Sequence, residues 1–369
     1  MLSCKAFFEL LVKDVGFFTG VPDSLLKDFC GYVADHAEKH VIAANEGNAV
    51  GIAAGYHLAS GKVPLVYMQN SGQGNAVNPL LSLADPKVYG IPMLLLVGWR
   101  GEPGVADEPQ HVKQGEVTSA VFDAMGIAHA VLPDTMEDAA ECVEKALASA
   151  QEHSAPYAIL VKKGTFESYS GKASAGSGSM TREEALRMIV DAIGDSVVVS
   201  TTGKTSREVY ELREAKGQDH AHDFLTVGSM GHASSITLGI ALEQKKQVYC
   251  LDGDGAFIMH MGSAAVIGAQ SCKNFKHIVI NNGAHDSVGG QPTAGADVAL
   301  GAIAKDCGYV AIYTADDEKS LKDALSELAL SEGPSFLEIR VKKGARSDLG
   351  RPTSTPADNK KAFMEFLQK

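Results

Sequence analysis

Short apolar runs of strand length alternate along this chain with longer stretches whose apolar residues recur at helical spacing. In the first half, segments 62–69, 93–97, 128–132 and 157–161 predict strands, and 24–37, 48–58, 77–83 and 136–149 predict helices. In the second half, strands are expected at 196–200, 247–251, 277–280, 310–313 and 335–340. The helices expected there cover 182–193, 206–213, 235–243, 256–270, 298–306 and 318–330. Charged residues separate surface helices from buried strands. Glu137, Asp138, Glu141 and Glu144 form the wet side of one helix, and Thr181 with Glu184 predicts a capping box at the start of another. Strands alternating with helices define an α/β class, with mainly parallel sheets covered by helices on both faces.

Between the halves lies the run GKASAGSGS at 171–179, small, polar and without apolar anchors, which is linker composition. It divides the chain into domains 1–170 and 180–369. The length of 369 residues suits two domains, and 45% hydrophobic with 21% charged residues is globular composition. A formal net charge of -12 argues against nucleic acid and anionic membrane as partners. The six Cys are spread without a CxxC pair, which predicts reduced thiols and a cytoplasmic setting. The apolar run 91–99 is too short to span a membrane.

The candidate chemistry sits at the ends of two predicted strands. Gly253-Asp254-Gly255 reads as a tight turn closing one, and Asn281-Asn282, 26 residues on, closes the next. In a parallel sheet both ends meet at one edge, where open α/β proteins bind ligands. Asp254 and Asn282 there offer two hard oxygen ligands, which suits Mg²⁺ against a diphosphate. Residue types alone leave several cofactors open.

The whole pattern, however, resembles the diphosphate-binding signature of thiamine diphosphate enzymes. The resemblance implies Mg²⁺ ligation by Asp254, Asn282 and the Ala284 carbonyl, with Gly253 and Gly255 lining the cofactor. Ala44-Asn45-Glu46-Gly47-Asn48-Ala49 precedes a small-residue helix, and by position Glu46 is the carboxyl that contacts N1′ of the aminopyrimidine and promotes ylide formation. Gly228-Ser229-Met230-Gly231 places Met230 as the apolar wedge that bends the cofactor, and Thr202 and Gly203 border its pocket. The resemblance covers nearly the whole chain. It implies a pyrimidine-binding domain at 1–170, a diphosphate-binding domain at 180–369, and no central domain. It also implies a homo-oligomer, at least a dimer, with the site between subunits.

Among these enzymes the segment 99–115, together with Gly20-Val21-Pro22-Asp23-Ser24 and Gly228-Ser229-Met230-Gly231-His232, resembles the phosphonopyruvate decarboxylases, with sulfopyruvate decarboxylases close by. That implies non-oxidative decarboxylation of a small anionic 2-keto acid. Arg100, Lys113 and Ser24 would bind its anionic groups, with His111 a proton donor and Asp23 and Asp107 orienting groups. His285 and Asp286 would reach the substrate or close the metal loop. The competing expectations are a carboligase of the acetolactate synthase type and a non-catalytic relic of the fold.

Overall fold

The computed structural model describes residues 1–171 and 178–369 and resolves into two compact units, Met1–Ala173 and Ser174–Lys369. Most of the expected linker 171–179 lies outside the described residues. The first unit contains β1 (Val15–Gly20), β2 (His40–Ile42), β3 (Val63–Gln69), β4 (Met93–Gly98), β5 (Ala128–Val131) and β6 (Pro156–Val161). The second contains β7 (Val197–Ser200), β8 (Asp223–Leu225), β9 (Val248–Gly253), β10 (Phe275–Asn281), β11 (Ala311–Ala315) and β12 (Ser335–Arg340). Each unit holds one six-stranded sheet, ordered β2-β1-β3-β4-β6-β5 and β11-β12-β10-β9-β7-β8, and every described strand pairing is parallel. Counted from its own first strand, each unit follows the same winding.

Alternate residues of the central strands feed two separate cores, one on each face. In the first unit Leu65, Leu94, Leu96 and Ile159 belong to one core, while Val66, Leu95, Val97 and Leu160 belong to the other. In the second unit Tyr249, Leu251 and Ile278 oppose Val248, Cys250 and Val279 in the same way. Burial on both faces is why these strands read as continuous apolar runs. In each sheet the chain leaves the first strand for one neighbour and later crosses to the other. This creates a switch point, between β1 and β3 and between β7 and β9, where ligands bind beyond the carboxyl ends.

Several expectations require correction. The first unit has a 17-residue helix, Pro109–Met125, where no helix is read from the sequence. Within it is Gly115, where a Cβ would lie 1.7 Å from the Gly101 carbonyl oxygen. Its buried face, His111, Gly115, Thr118, Phe122 and Met125, mixes polar and apolar residues, so no continuous apolar stripe marks the helix in the sequence. Strands β1, β2 and β8 and the helices Cys4–Leu11 and Pro356–Leu367 also go unread. The expected helix 256–270 is two helices, Asp254–Met259 and Ser263–Gln270. The capping box forms as expected: Thr181 N–H donates to Glu184 at 2.7 Å, and Glu184 N–H returns a bond to the Thr181 hydroxyl at 3.2 Å. All six cysteines are free thiols. Among the described residues no helix is long and apolar enough to cross a membrane.

Candidate active site

In the second unit the edge beyond β9 and β10 carries the acidic centre. Gly253 is extended and ends β9, and Asp254 starts the next helix, so the glycine motif is a strand-to-helix junction and not a tight turn. Asp254 is 2% exposed, and burial pushes its carboxyl up to about 6. Its described hydrogen-bond partners include the Thr293 hydroxyl, which donates to Oδ2. No Lys or Arg pairs with it among the described residues. Gly295 lies against the same oxygen, where a Cβ would come to 2.4 Å.

The two asparagines do different work. Asn281 braces the loop that follows: its Nδ2 donates to the Gly295 carbonyl at 2.7 Å and to Glu338 at 2.9 Å, and its Oδ1 accepts from Gly283 N–H at 3.0 Å. The Asn282 side-chain oxygen accepts from Ala284 N–H at 3.1 Å, which orients it beside that residue. Across the switch point, Gly203 has φ +95 and heads the helix Lys204–Ala215. A Cβ there would lie 2.8 Å from the Ser287 hydroxyl. A buried carboxylate without a cationic partner among the described residues, together with the Asn282 side-chain and Ala284 carbonyl oxygens, offers hard-oxygen ligands, and the glycine-led helix start offers N–H donors. Such a set fits a divalent cation and a diphosphate.

Met230 is partly exposed, between Ser229 (φ +57) and Gly231 (φ +83). A Cβ on Gly231 would lie 2.5 Å from the His260 ring, so this turn must carry glycine beside Met230. Asp286 accepts from Arg182 at 3.0 Å and from Gly344 N–H at 3.0 Å, so it closes the loop after the asparagines. Gly255 sits against His285, whose Cε1 would be 3.2 Å from an added Cβ. Cys250, Asp252 and His277 meet deeper in the core with ligand atoms within 4.8 Å of one another, all fully buried.

In the first unit the helix Glu46–Ser60 begins at Glu46 itself, capped by Asn45. The Glu46 carboxylate is 5% exposed and accepts from Asn75 Nδ2 at 2.7 Å. Its other oxygen would be 2.4 Å from a Cβ on Gly72, so glycine is required there. Beyond β1, Asp23 is fully buried and accepts from the Leu25 and Leu26 N–H groups at 2.8 and 3.3 Å. Its Oδ1 has no partner among the described residues. Beyond β4, Arg100 donates to Asp107 from Nε at 2.7 Å and from Nη2, and to the Ser24 hydroxyl from Nη1 at 2.7 Å. Asn70 ties this turn down by donating to the Arg100 carbonyl at 2.8 Å. His111 is 9% exposed, its Nδ1 is unpartnered among the described residues, and burial and the nearby Arg100 hold it below its ordinary value.

Asp23, Ser24, Arg100 and Asp107 are thus brought together. Arg100 is held by Asp107 rather than left as an open fork. Lys113 is not brought to them. It lies two positions from His111 on the same helix, hence on nearly the opposite face. Its side chain is 82% exposed and pairs with Glu116 at 2.9 Å. Sequence reasoning misses Asn70, Asn75 and Thr293. The polar, glycine-containing run 70–75 directly after β3 is the signal for the first two.

Asp23 yields a stability prediction. Burial pushes its carboxyl from 3.8 up to about 6. Between those values the native state binds more protons than the unfolded state, so stability falls as pH rises through that window. Asp23→Asn is expected to stabilise the protein at pH 7 by about 2–3 kcal/mol, with the gain vanishing below about pH 4. Denaturant melts of both proteins at the two pH values test this; the same difference at both would refute it.

Comparison with known proteins accords with this geometry. The model for the thiamine pyrophosphate enzyme N-terminal TPP binding domain matches residues 3–126, and that for the C-terminal TPP binding domain matches 201–339. A phosphonopyruvate decarboxylase of Streptomyces viridochromogenes is 36% identical over 94% of this chain and 90% of its own length. One from Streptomyces hygroscopicus is 34% identical over 94% and 89%. A sulfopyruvate decarboxylase of Methanosarcina acetivorans is 28% identical over 87% and 86%. The chain belongs to the thiamine diphosphate-dependent 2-keto acid decarboxylases, in the branch of the phosphonopyruvate and sulfopyruvate enzymes. It is a carboxy-lyase that decarboxylates a small keto acid, and it contains both cofactor-binding domains.

Proposed function

We propose that this enzyme converts 3-phosphonopyruvate to phosphonoacetaldehyde and CO₂ in phosphonate biosynthesis. The observation that carries this choice is the 36% identity to a phosphonopyruvate decarboxylase over 94% of the chain, against 28% over 87% for the sulfopyruvate decarboxylase of Methanosarcina acetivorans. In this reading residues 1–170 bind the aminopyrimidine and 180–369 bind the diphosphate. Asp254, the Asn282 side chain and the Ala284 carbonyl hold Mg²⁺. Gly203, Gly253 and Gly255 would give the phosphates close approach to backbone, and Met230 would support the cofactor from one side.

Bound thiamine diphosphate supplies the carbon nucleophile and the electron sink for loss of CO₂. The protein's own groups do the rest. Glu46, buried and fixed by Asn75, holds the proton at the aminopyrimidine. Ser24, beyond β1, and Arg100, at the end of β4, present donors side by side, with Asp107 fixing the guanidinium plane. Since Lys113 faces outward, the substrate's anionic groups are left to Arg100 and Ser24. His111 and Asp23 are the proton-carrying groups beside them. The buried carboxyl of Asp23 titrates at about 6, where a general acid can still hold its proton.

The working unit in this reading is a homo-oligomer, at least a dimer, in which a second copy completes the site. Apolar side chains left uncovered on the glycine- and alanine-rich helices support it: Ile52 and Leu58 on Glu46–Ser60, Leu242 on Ala233–Glu243 and Val266 on Ser263–Gln270. The test of substrate is steady-state CO₂ release with 3-phosphonopyruvate, sulfopyruvate and pyruvate. We expect 3-phosphonopyruvate to exceed pyruvate by at least about 10²-fold in kcat/KM, because pyruvate leaves the anion-binding donors unpaired. Preference for sulfopyruvate would move the enzyme to sulfonate metabolism, and efficient use of pyruvate would remove the anionic-tail assignment altogether.

A further inference from the structure

The cations around these crevices are largely engaged. Arg100 is held by Asp107 and Ser24, Lys113 by Glu116, and Arg182 by Glu208 and Asp286. Lys204 differs. It is half-buried, and its ammonium makes no hydrogen bond or ion pair among the described residues. The two carboxylates that act on it through space, Asp286 and Glu208, are both bonded to Arg182. Burial holds Lys204 below its ordinary value, as expected for an ammonium stripped of water without a full counter-charge.

Its position gives this a meaning. Strands β7 and β9 are neighbours, with Ser200 opposite Leu251, so the chain just past each lies on the two sides of the switch point. Asp254 stands on one side. Gly203 and Lys204 stand on the other, and Gly203 packs against Ser287 in the loop that carries Ala284 and Thr293. A diphosphate together with the Asp254 carboxylate carries more negative charge than one divalent ion offsets. Another cation at this edge would remove the excess, reinforced by the positive end of the helix Lys204–Ala215.

We propose that Lys204 is a cofactor-binding residue whose ammonium pairs with the diphosphate of thiamine diphosphate. The assignment rests on reading the second unit as the diphosphate-binding domain. It leaves substrate recognition to the first unit.

The test is calorimetric titration of the full-length protein with thiamine diphosphate at fixed Mg²⁺, for the native chain, Lys204→Met and Lys204→Arg. Lys204→Met is expected to weaken cofactor binding at least about tenfold, as for loss of a charge-assisted contact. Lys204→Arg should recover most of it, and the difference should shrink at high salt. Because Lys204 is only half-buried, both variants should melt as the native chain does; the arginine variant separates a charge effect from a folding defect. Unchanged cofactor affinity in Lys204→Met would overturn the proposal. So would a raised KM for the keto acid with cofactor affinity intact, which would assign the ammonium to substrate. A native protein that fails to bind thiamine diphosphate would instead refute the diphosphate-domain reading, and the native titration alone shows that.

Discussion

Glu46→Gln is expected to bind thiamine diphosphate and to lose about 10²–10⁴-fold in kcat. The substitution keeps the shape of a side chain that is 5% exposed and packed over Gly72, so no cavity opens. Glutamine can turn its amide oxygen toward Asn75 Nδ2, which now donates to the carboxylate at 2.7 Å. Its remaining atom is then an NH₂, which cannot take up or return a proton at the aminopyrimidine. The loss should therefore fall on turnover and leave melting temperature and cofactor affinity near their native values. Measuring kcat, cofactor Kd and thermal melts on one preparation decides it. A kcat within about threefold of native would eliminate Glu46 as the proton-holding group.

The second large effect is at the metal. Asp254→Asn preserves volume and still offers an oxygen to the Thr293 hydroxyl, so the fold should persist. It removes the anionic member of the proposed ligand set, whose other members are neutral oxygens. Hard divalent ions depend strongly on carboxylate charge, and changes even outside the ligand shell cost about 10–100-fold. Mg²⁺-dependent cofactor loading should therefore weaken by at least about 10²-fold, and activity should fall with it. Because burial opposes ionisation of Asp254, the variant without cofactor should be no less stable than the native chain. Equilibrium dialysis with Mg²⁺ or Mn²⁺ and thiamine diphosphate, beside thermal melts, checks both parts. Native-like loading would show that the metal is held elsewhere.

Much of the second crevice is legible as local sequence. Asp254 and Asn282 follow directly from the ends of two strands, and strand ends are readable because both faces of β9 and β10 are buried. The first crevice is less so. The helix Pro109–Met125 has no clean apolar face, and its Gly115 reads as a helix breaker until the Gly101 carbonyl is seen packed against it. Without that helix, 99–115 reads as one loop in which Arg100, His111 and Lys113 are all candidate substrate contacts. The helix separates them: His111 inward, Lys113 outward, and Arg100 bonded to Asp107. Asn75 is invisible as a partner of Glu46 because they stand 29 positions apart with a whole strand between them.

By itself, then, the sequence determined the alternation of strands and helices, the division into halves and the residue types of the cofactor motif. All of these are local: periodicity and turn chemistry act over a few residues. Only the tertiary structure decided which strands are neighbours, and so where the two switch points lie. It alone decided that Arg100 is held by a carboxylate, that Gly72 and Gly98 are glycines because the Glu46 and Asp23 carboxylates lie within 2.4 and 2.1 Å of where a Cβ would stand, and that Lys204 lacks an acceptor among the described residues. The reason is that a hydrophobic pattern reports that a face is buried without naming the neighbour that buries it. Partner choice arises from packing and charge between segments far apart in the chain.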